Sequence, residues 1–359
     1  MENKGKVVVA MSGGVDSSVC AALLVEQGYE VEGIMMRLWS EPGNFDTQRD
    51  NRCCTRDQMI DAHLIAKKLR IPFEVIDAQE TFKEQIVDRF IEGYSQGITP
   101  NPCLSCNRHI RFTFLLNEAL ARGASYLATG HYAQITQDNE GLFELRKGAD
   151  EGKDQSYVLS VLTQYQLQHA MFPVGSYTKP EVRELAKKFG LRVAGKSDSQ
   201  DLCFIADGDY RRFLTDYALP IFQPGAIQMP SGEIIGEHSG LASYTIGQRK
   251  GLGVSWSEPL YVIGKDTQSN ALLVGTRADL GRREFSVEEI NWISERVPDH
   301  PIQATVKIRY KSHPSPATLT PITEDTAQVS LDEPLPDITP GQGAVFYDGD
   351  RVISSGVIV

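Results

Sequence analysis

Two groups of residues in this chain carry chemistry: a glycine and serine turn near residue 13 and a small set of cysteines. Met11-Ser12-Gly13-Gly14-Val15-Asp16-Ser17-Ser18 follows the apolar run Val7-Val8-Val9-Ala10, which reads as a buried strand, a tight turn and the start of a helix. Several backbone N–H groups and the positive end of that helix then converge on one point, where an anion belongs. Gly13 and Gly14 let the backbone approach the anion without a Cβ clash, while the hydroxyls of Ser12, Ser17 and Ser18 add donors. Asp16 by itself would repel a phosphate, so a nucleotide bound here is expected to arrive with Mg²⁺. The alternative is a purely structural turn, and a Ser-Gly-Gly-x-Asp-Ser-Ser run directly after a strand disfavours it.

A second glycine motif is a decoy. Gly190-Leu191-Arg192-Val193-Ala194-Gly195-Lys196-Ser197 spells G-x₄-G-K-S, but a phosphate loop of that kind follows a strand and opens a helix. Here Gly190 closes a helix begun by the capping box of Thr178 and Glu181.

The six cysteines are too few for a disulfide scaffold in a chain this long, so they are expected to be catalytic, metal-binding or buried. Asn101-Pro102-Cys103-Leu104-Ser105-Cys106-Asn107 places an N-cap residue, a proline and two cysteines at a helix start. A thiolate there is favoured by the helix dipole, and a pKa lowered by one unit (about 1.4 kcal/mol) already enlarges the reactive fraction at neutral pH. Cys106 is therefore a candidate nucleophile, with Arg108, His109 and Arg111 as nearby positive charge or as solvated side chains. Cys203, in Ser199-Gln200-Asp201-Leu202-Cys203-Phe204-Ile205, reads equally as a functional thiol and as a buried apolar one. Cys20 sits among Val19, Ala21 and Leu23 and is expected in the core. Cys53 and Cys54 are adjacent in a polar stretch and offer a zinc site with Cys103 and Cys106, although neighbouring cysteines reach one tetrahedral metal less easily than a C-x₂-C pair.

These residues need elements to hold them. Residues 6 to 205 alternate between strand and helix: Val7 to Ala10, Val31 to Trp39, Ile71 to Asp77 and Tyr126 to Thr129 read as strands. Helices are expected over Ser17 to Gln27, from the capping box of Thr55 and Gln58 to Leu69, around Phe82, Ile86, Phe90 and Tyr94, and from Cys103 to Arg122. Such alternation predicts an α/β fold, a parallel sheet covered by helices with ligands beyond the carboxyl ends of its strands. Past residue 207 the pattern changes to a short helix near Asp209 to Tyr217, a glycine-rich stretch from Gly232 to Gly253, and then short β-type runs ending in Ala344 to Tyr347 and Arg351 to Val359. The expected organisation is a nucleotide-binding catalytic domain over 1–206, a small central domain over 207–272 and a C-terminal β-barrel over 273–359.

At 359 residues, two or three domains are expected. No signal-like segment or run of eighteen apolar residues occurs, so the expectation is a cytoplasmic protein without membrane attachment. The net charge of −11 weighs mildly against nucleic acid. It averages over the surface, however, and Arg211-Arg212, Arg249-Lys250, Arg282-Arg283 and the group Lys307, Arg309 and Lys311 offer local basic faces or simply solvated ones.

Taken together, five blocks resemble the tRNA-specific 2-thiouridylases of the MnmA type, in the pyrophosphatase-loop ATPase superfamily, over essentially the full length. They are the loop at 11–18, Asn101-Pro102-x-x-x-Cys106-Asn107, Ala128-Thr129-Gly130-His131-Tyr132, Lys153-Asp154-Gln155-Ser156-Tyr157, and 199–205. Later segments, Tyr244 to Leu252, Lys307-Ile308-Arg309-Tyr310 and Pro340-Gly341-Gln342, fit the same family. The resemblance implies 2-thiolation of the wobble uridine in tRNAs for Lys, Glu and Gln. ATP would lie on Ala10, Met11, Ser12, Gly13, Gly14, Val15, Asp16 and Ser17, with Met36 and Gly130 beside the adenosine. It implies that the C2 oxygen is adenylated, that Cys203 carries a persulfide from a cysteine desulfurase or relay protein, and that Cys106 attacks it to leave a Cys106–Cys203 disulfide. It also places Asn101, Pro102 and Cys103 at the target base and His131, Lys153, Asp154, Gln155, Arg309, Tyr310 and Gln342 on tRNA. Many relatives carry Asp where this chain has Cys103. The trio Cys103, Cys106 and Cys203 thereby also resembles the ligand set of thiolases that hold a [4Fe–4S] cluster. An amide-forming ligase with the same loop, or a non-catalytic RNA-binding module, are the rival readings.

Overall fold

The computed structural model describes residues 4–41, 55–196, 202–218 and 222–359. Strand β1 (Lys6–Ala10) lies at the centre of the first body. Its three valines are fully buried on both sides: Val7 and Val9 pack with the helix α1 (Val15–Glu26), and Val8 packs on the opposite face with Phe112, Leu115 and Leu116. A strand covered on both faces must be apolar throughout, and this is why the run shows no alternation. After α1 come β2 (Glu30–Arg37), α2 (Arg56–Leu69) and β3 (Phe73–Asp77). The chain then crosses to the other side of β1 for β4 (Tyr126–Ala128).

Two further segments complete this body, the antiparallel hairpin β5 (Ala133–Gln137) and β6 (Phe143–Lys147), and the short β7 (Ala170–Met171). The main sheet has the order β3-β2-β1-β4-β7, with its pairings parallel. The strand order reverses between β1 and β4, so a crevice opens beyond their carboxyl ends. The capping box of Thr55 and Gln58 is formed, and so is that of Thr178 and Glu181 at the head of the helix Lys179–Lys188. The helices expected near Phe82 and from Cys103 are present with a difference. Lys83–Asp88 and Cys106–Leu115 are wound as π-helix inside otherwise α-helical stretches, a local widening that periodicity does not announce.

The middle body is a four-stranded sheet of β8 (Gly225–Gln228), β9 (Ile234–His238), β10 (Tyr261–Asp266) and β11 (Ala271–Gly275) in the order β10-β11-β8-β9. β11 carries this sheet past the boundary expected at residue 272. The third body contains β12 (Arg282–Trp292), β13 (Ile302–Lys307), β14 (Ser315–Pro321), β15 (Ala327–Leu335), β16 (Gly343–Asp348) and β17 (Arg351–Ile358). Their order is β12-β15-β14-β13-β16-β17, and pairing of β12 with β17 closes it into a six-stranded barrel. Val306, Leu319, Val329 and Phe346 fill the interior.

The barrel is fastened to the first body near the cysteine-bearing helix. Thr99 N–H donates to the Pro340 carbonyl at 3.0 Å, Gln342 Nε2 donates to the Thr99 carbonyl at 2.8 Å, and the Tyr157 hydroxyl donates to the Gly343 carbonyl at 2.9 Å. Gly341 sits between these bonds with φ +88°, and a Cβ there would run into the Ile98 side chain and come within 2.9 Å of the Thr99 carbonyl oxygen. Gly341→Ala is therefore expected to lower unfolding stability by about 1–3 kcal/mol, measured by urea unfolding. An unchanged midpoint would mean that this contact does not hold the two bodies together.

Candidate active site

The N-cap of α1 is Gly14, which has no side chain to cap it, so the N–H groups of the first turn face the mouth of the crevice. Gly13 has φ +68°, and a Cβ there would overlap the Gln58 carbonyl of α2; only glycine fits. The hydroxyls organise the turn from inside. Ser17 Oγ accepts from the Ser12 N–H at 3.2 Å and lies 3.2 Å from Ser12 Oγ, while Ser18 Oγ donates to the Gly14 carbonyl at 2.6 Å. Gly130, just after β4, presses on the same turn, since a Cβ there would lie 2.6 Å from Ser17 N. Ala10 ends β1, Met11 and Val15 are buried beneath the loop, and Ser12 is exposed at its tip.

Asp16 is held by groups that sequence reasoning did not single out. Lys179 Nζ donates to both carboxylate oxygens, at 2.8 and 2.9 Å, and the Tyr132 hydroxyl donates to Oδ1 at 2.7 Å. The carboxylate charge that suggested an accompanying Mg²⁺ is thus already balanced within the protein. A second cation, Lys196, donates to the Gly13 carbonyl at 3.1 Å and to Asp61 at 3.0 Å. Lys196 belongs to the G-x₄-G-K-S decoy. The motif is not a nucleotide loop, for Gly190 follows the helix Lys179–Lys188 with φ +62° and Arg192–Gly195 is a single 3₁₀ turn, yet its lysine reaches the real loop. The only sequence signal for Lys179 was its place at the head of a capped helix.

Two of the cysteines share one apolar cluster. Cys106 is buried in an apolar cluster with Phe82, Phe90, Ile110, Phe204 and Phe213, and Cys203 packs against that cluster, as does Met36 from the carboxyl end of β2. Phe204 anchors the segment, with ring contacts to Phe82, Phe90 and Phe213 at 6.1, 5.3 and 5.5 Å. Cys103 is exposed and Cys203 half-buried. Cys20 is fully buried in the core, and burial alone pushes its thiol far up. Among the described residues no three His, Cys, Asp or Glu side chains are disposed to hold a metal ion. Cys53 and Cys54 lie outside the described residues.

Residues expected on tRNA divide into exposed and internal ones. Asn101 caps the helix Pro102–Ser105, its side chain accepting from the Leu104 N–H at 3.3 Å. Tyr310 is partly exposed, 6.0 Å from the Tyr157 ring, and burial, then Asp154, then Cys103 raise its hydroxyl. Asp154 and Cys103 thus lie within electrostatic reach of Tyr310. Other members serve as braces. Asp154 accepts from Gly148 N–H, Ser156 N–H and Ser156 Oγ, and Gln155 Oε1 accepts from the Tyr132 N–H at 3.0 Å. Gln342 is spent on the Thr99 and Pro100 carbonyls, and Arg309 on Asp337, Thr339 and the Ile246 carbonyl. Arg212, one of the basic pairs, is enclosed by Glu41, Asp207 and Asp216, whereas Arg249, Lys250 and Lys311 are exposed.

The three bodies match family models in chain order: the tRNA methyl transferase HUP domain over residues 5–207, the tRNA methyl transferase PRC-barrel domain over 211–276 and the aminomethyltransferase beta-barrel domain over 282–358. A tRNA-specific 2-thiouridylase MnmA of Magnetococcus marinus is 44% identical over 359 residues, covering 100% of both chains. The chain belongs to the tRNA-specific 2-thiouridylase family. The 2-thiouridylase of Geobacter metallireducens is 45% identical over 360 residues, covering 98% of this chain and 96% of that one. This 2-thiouridylase family member is a tRNA-uridine sulfurtransferase, and 2-thiouridine in tRNA is its product. A U34-tRNA thiolase of Methanococcus maripaludis with its [4Fe–4S] cluster is 19% identical, covers 60% of this chain and 67% of that one, and superposes at a TM-score of 0.34, too remote to transfer a ligand set. Among the described residues no helix is long and apolar enough to cross a membrane.

His131 is buried between Phe112 and Phe172, with Nδ1 2.7 Å from Thr129 Oγ1, and its ring is not on the open surface. Burial, with Arg111 second, lowers its pKa from 6.5 to about 3. The unfolded chain therefore binds a proton as pH falls through 6.5 while the folded chain stays neutral until about 3. Stability is full above that window and falls on acidification by about 1.4 kcal/mol per pH unit. Between pH 7 and pH 5 the wild type is expected to lose about 2 kcal/mol more than His131→Gln, measured by urea unfolding; equal slopes would refute the assignment.

Proposed function

We propose that this enzyme adenylates the C2 oxygen of the wobble uridine, position 34, in tRNAs for Lys, Glu and Gln, and replaces it with sulfur carried on Cys203. The observation that supports this most is that Met36, from the carboxyl end of β2, packs against the cluster shared by Cys106 and Cys203 and also against the cluster that Ala10, at the end of β1 before the Gly13-Gly14 turn, packs on. ATP fits the turn with its phosphates at the head of α1 and its adenosine between Met36 and Gly130. Mg²⁺ accompanying the ATP would offset the charge of phosphates held by the first-turn N–H groups of α1 and the Ser12 and Ser17 hydroxyls. Lys179 keeps Asp16 from repelling them, and Lys196 holds the Gly13 carbonyl aside.

The chemistry follows from leaving-group strength. A carbonyl oxygen is a poor leaving group, but the C2 oxygen, after attacking the α-phosphorus and expelling pyrophosphate, departs as part of AMP. A cysteine desulfurase or relay protein loads Cys203 with a persulfide. Cys106 attacks the Cys203 sulfur, the terminal sulfur passes to C2 as AMP departs, and a Cys106–Cys203 disulfide remains. Burial of Cys106 in an apolar cluster excludes water from this exchange and limits hydrolysis of the adenylate. The RNA-facing surface consists of Asn101, Cys103, Lys153 and Tyr310, with Arg249, Lys250 and Lys311 positioned for phosphates. Asp154, Gln155, Arg309, Gln342 and His131 act behind it by holding the segments in place.

Mass analysis of tRNA nucleosides, with pyrophosphate release measured in parallel, tests the scheme. Cys106→Ser and Cys203→Ser are each expected to lower 2-thiouridine formation by about 10³-fold or more while tRNA-dependent pyrophosphate release continues. Full thiolation by either variant would overturn sulfur transfer through that cysteine, and absence of tRNA-dependent AMP formation in the wild type would overturn the adenylation step. Lys179→Met is expected to raise KM for ATP by about tenfold or more; an unchanged KM would remove Lys179 from the nucleotide site.

A further inference from the structure

Cys103 and Cys106 are three residues apart at the start of one helix, and their surroundings are opposite. Cys103 is exposed, whereas Cys106 is buried in the cluster that Cys203 also packs against. Side chains at i and i+3 are neighbours on a helix surface, with Cβ atoms about 5–6 Å apart. A disulfide needs about 3.5–4.5 Å. An adjustment of about 1 Å closes the gap, and Cys103 itself lies in the first turn after the N-cap Asn101, where intrahelical bonding is least complete. In a disulfide between Cys106 and Cys203 the Cys106 sulfur lies within the apolar cluster and the Cys203 sulfur is half-buried, so a protein reductant has poorer access to it than to exposed Cys103, and exchange requires access of a thiolate to sulfur.

We propose that Cys103 is a built-in resolving thiol that carries the oxidised state of the Cys106–Cys203 pair to the exposed start of the helix. This rests on the persulfide reading above. The Cys103 thiolate attacks Cys106 Sγ of the Cys106–Cys203 disulfide. The Cys103–Cys106 bond forms, the Cys106–Cys203 bond breaks, and Cys203 leaves as a thiolate that takes up a proton. No net oxidation occurs in this exchange. An external dithiol protein then supplies two electrons and two protons at exposed Cys103, restoring both thiols and becoming a disulfide itself. Cys203 is meanwhile available for the next persulfide. The arrangement separates two demands that conflict at one bond: shelter from water during sulfur transfer and access for a reductant afterwards.

The test uses the full chain with tRNA, ATP and a persulfide-loaded cysteine desulfurase, no reductant, one turnover, quenching by acid and alkylation, and non-reducing peptide mass mapping. The wild type is expected to accumulate a Cys103–Cys106 disulfide in proportion to 2-thiouridine, and Cys103→Ser a Cys106–Cys203 disulfide. With thioredoxin as reductant, the ratio of steady-state rate to first-turnover rate is expected to fall about tenfold or more in Cys103→Ser, and dithiothreitol to restore it. Each protein's first turnover serves as its own reference, so any effect of Cys103 on base binding cancels. A Cys106–Cys203 disulfide persisting in the wild type, or an unchanged ratio in Cys103→Ser, overturns the relay alone. Formation of 2-thiouridine with no disulfide in either protein overturns the persulfide reading and the relay with it.

Discussion

The Asp16 carboxylate, clasped by Lys179 and Tyr132, is the constraint on which the active end of this molecule depends. It joins three segments distant in sequence: the first turn of α1, the stretch after β4, and the helix that begins at Lys179. Each brings something to the mouth of the sheet. α1 brings its N–H groups, the stretch after β4 brings Gly130 against Ser17, and the third helix leads into the segment whose Lys196 steadies Gly13. A carboxylate at a helix N-terminus is favourable in itself, but beside a polyphosphate it would be a liability. The lysine converts it into a brace.

A similar division of labour governs the RNA side. Polar side chains expected to face the substrate prove in several cases to be joints. Gln342 grips the Thr99 and Pro100 carbonyls immediately before Asn101, Gly341 lies close against Thr99, and Arg309 ties the barrel to the middle body through the Ile246 carbonyl. The position of the cysteine-bearing helix is therefore set by a domain far away in sequence. That explains why the barrel belongs to the enzyme even where its side chains never meet a base.

Much of this was legible in the residues. The unbroken valine run, the glycine turn, the two capping boxes and the helix start at Asn101-Pro102 all act locally, and each lies where its local physics puts it. What was not legible depends on partners remote in sequence. Nothing around Lys179 or Lys196 reveals a carboxylate or a carbonyl more than one hundred residues away. His131 looked like a polar residue in a motif, and only packing against Phe112 and Phe172 shows it to be buried. The β5–β6 hairpin was missed because its edge is completed by the barrel and not by its neighbours in the chain. The π-helical turn at Cys106 escaped because a one-residue widening leaves the apolar pattern nearly intact.

That hairpin has a consequence for biosynthesis. β6 pairs with β17, with Arg146 opposite Arg351, and Lys147 N–H donates to the Asp350 carbonyl. During translation the hairpin emerges long before β17, so an open strand edge persists on an otherwise finished nucleotide-binding body. Such an edge invites pairing with other nascent chains until its proper cover arrives. The same strand that closes the barrel against β12 also shields this edge, making completion of the last domain the step that protects the first.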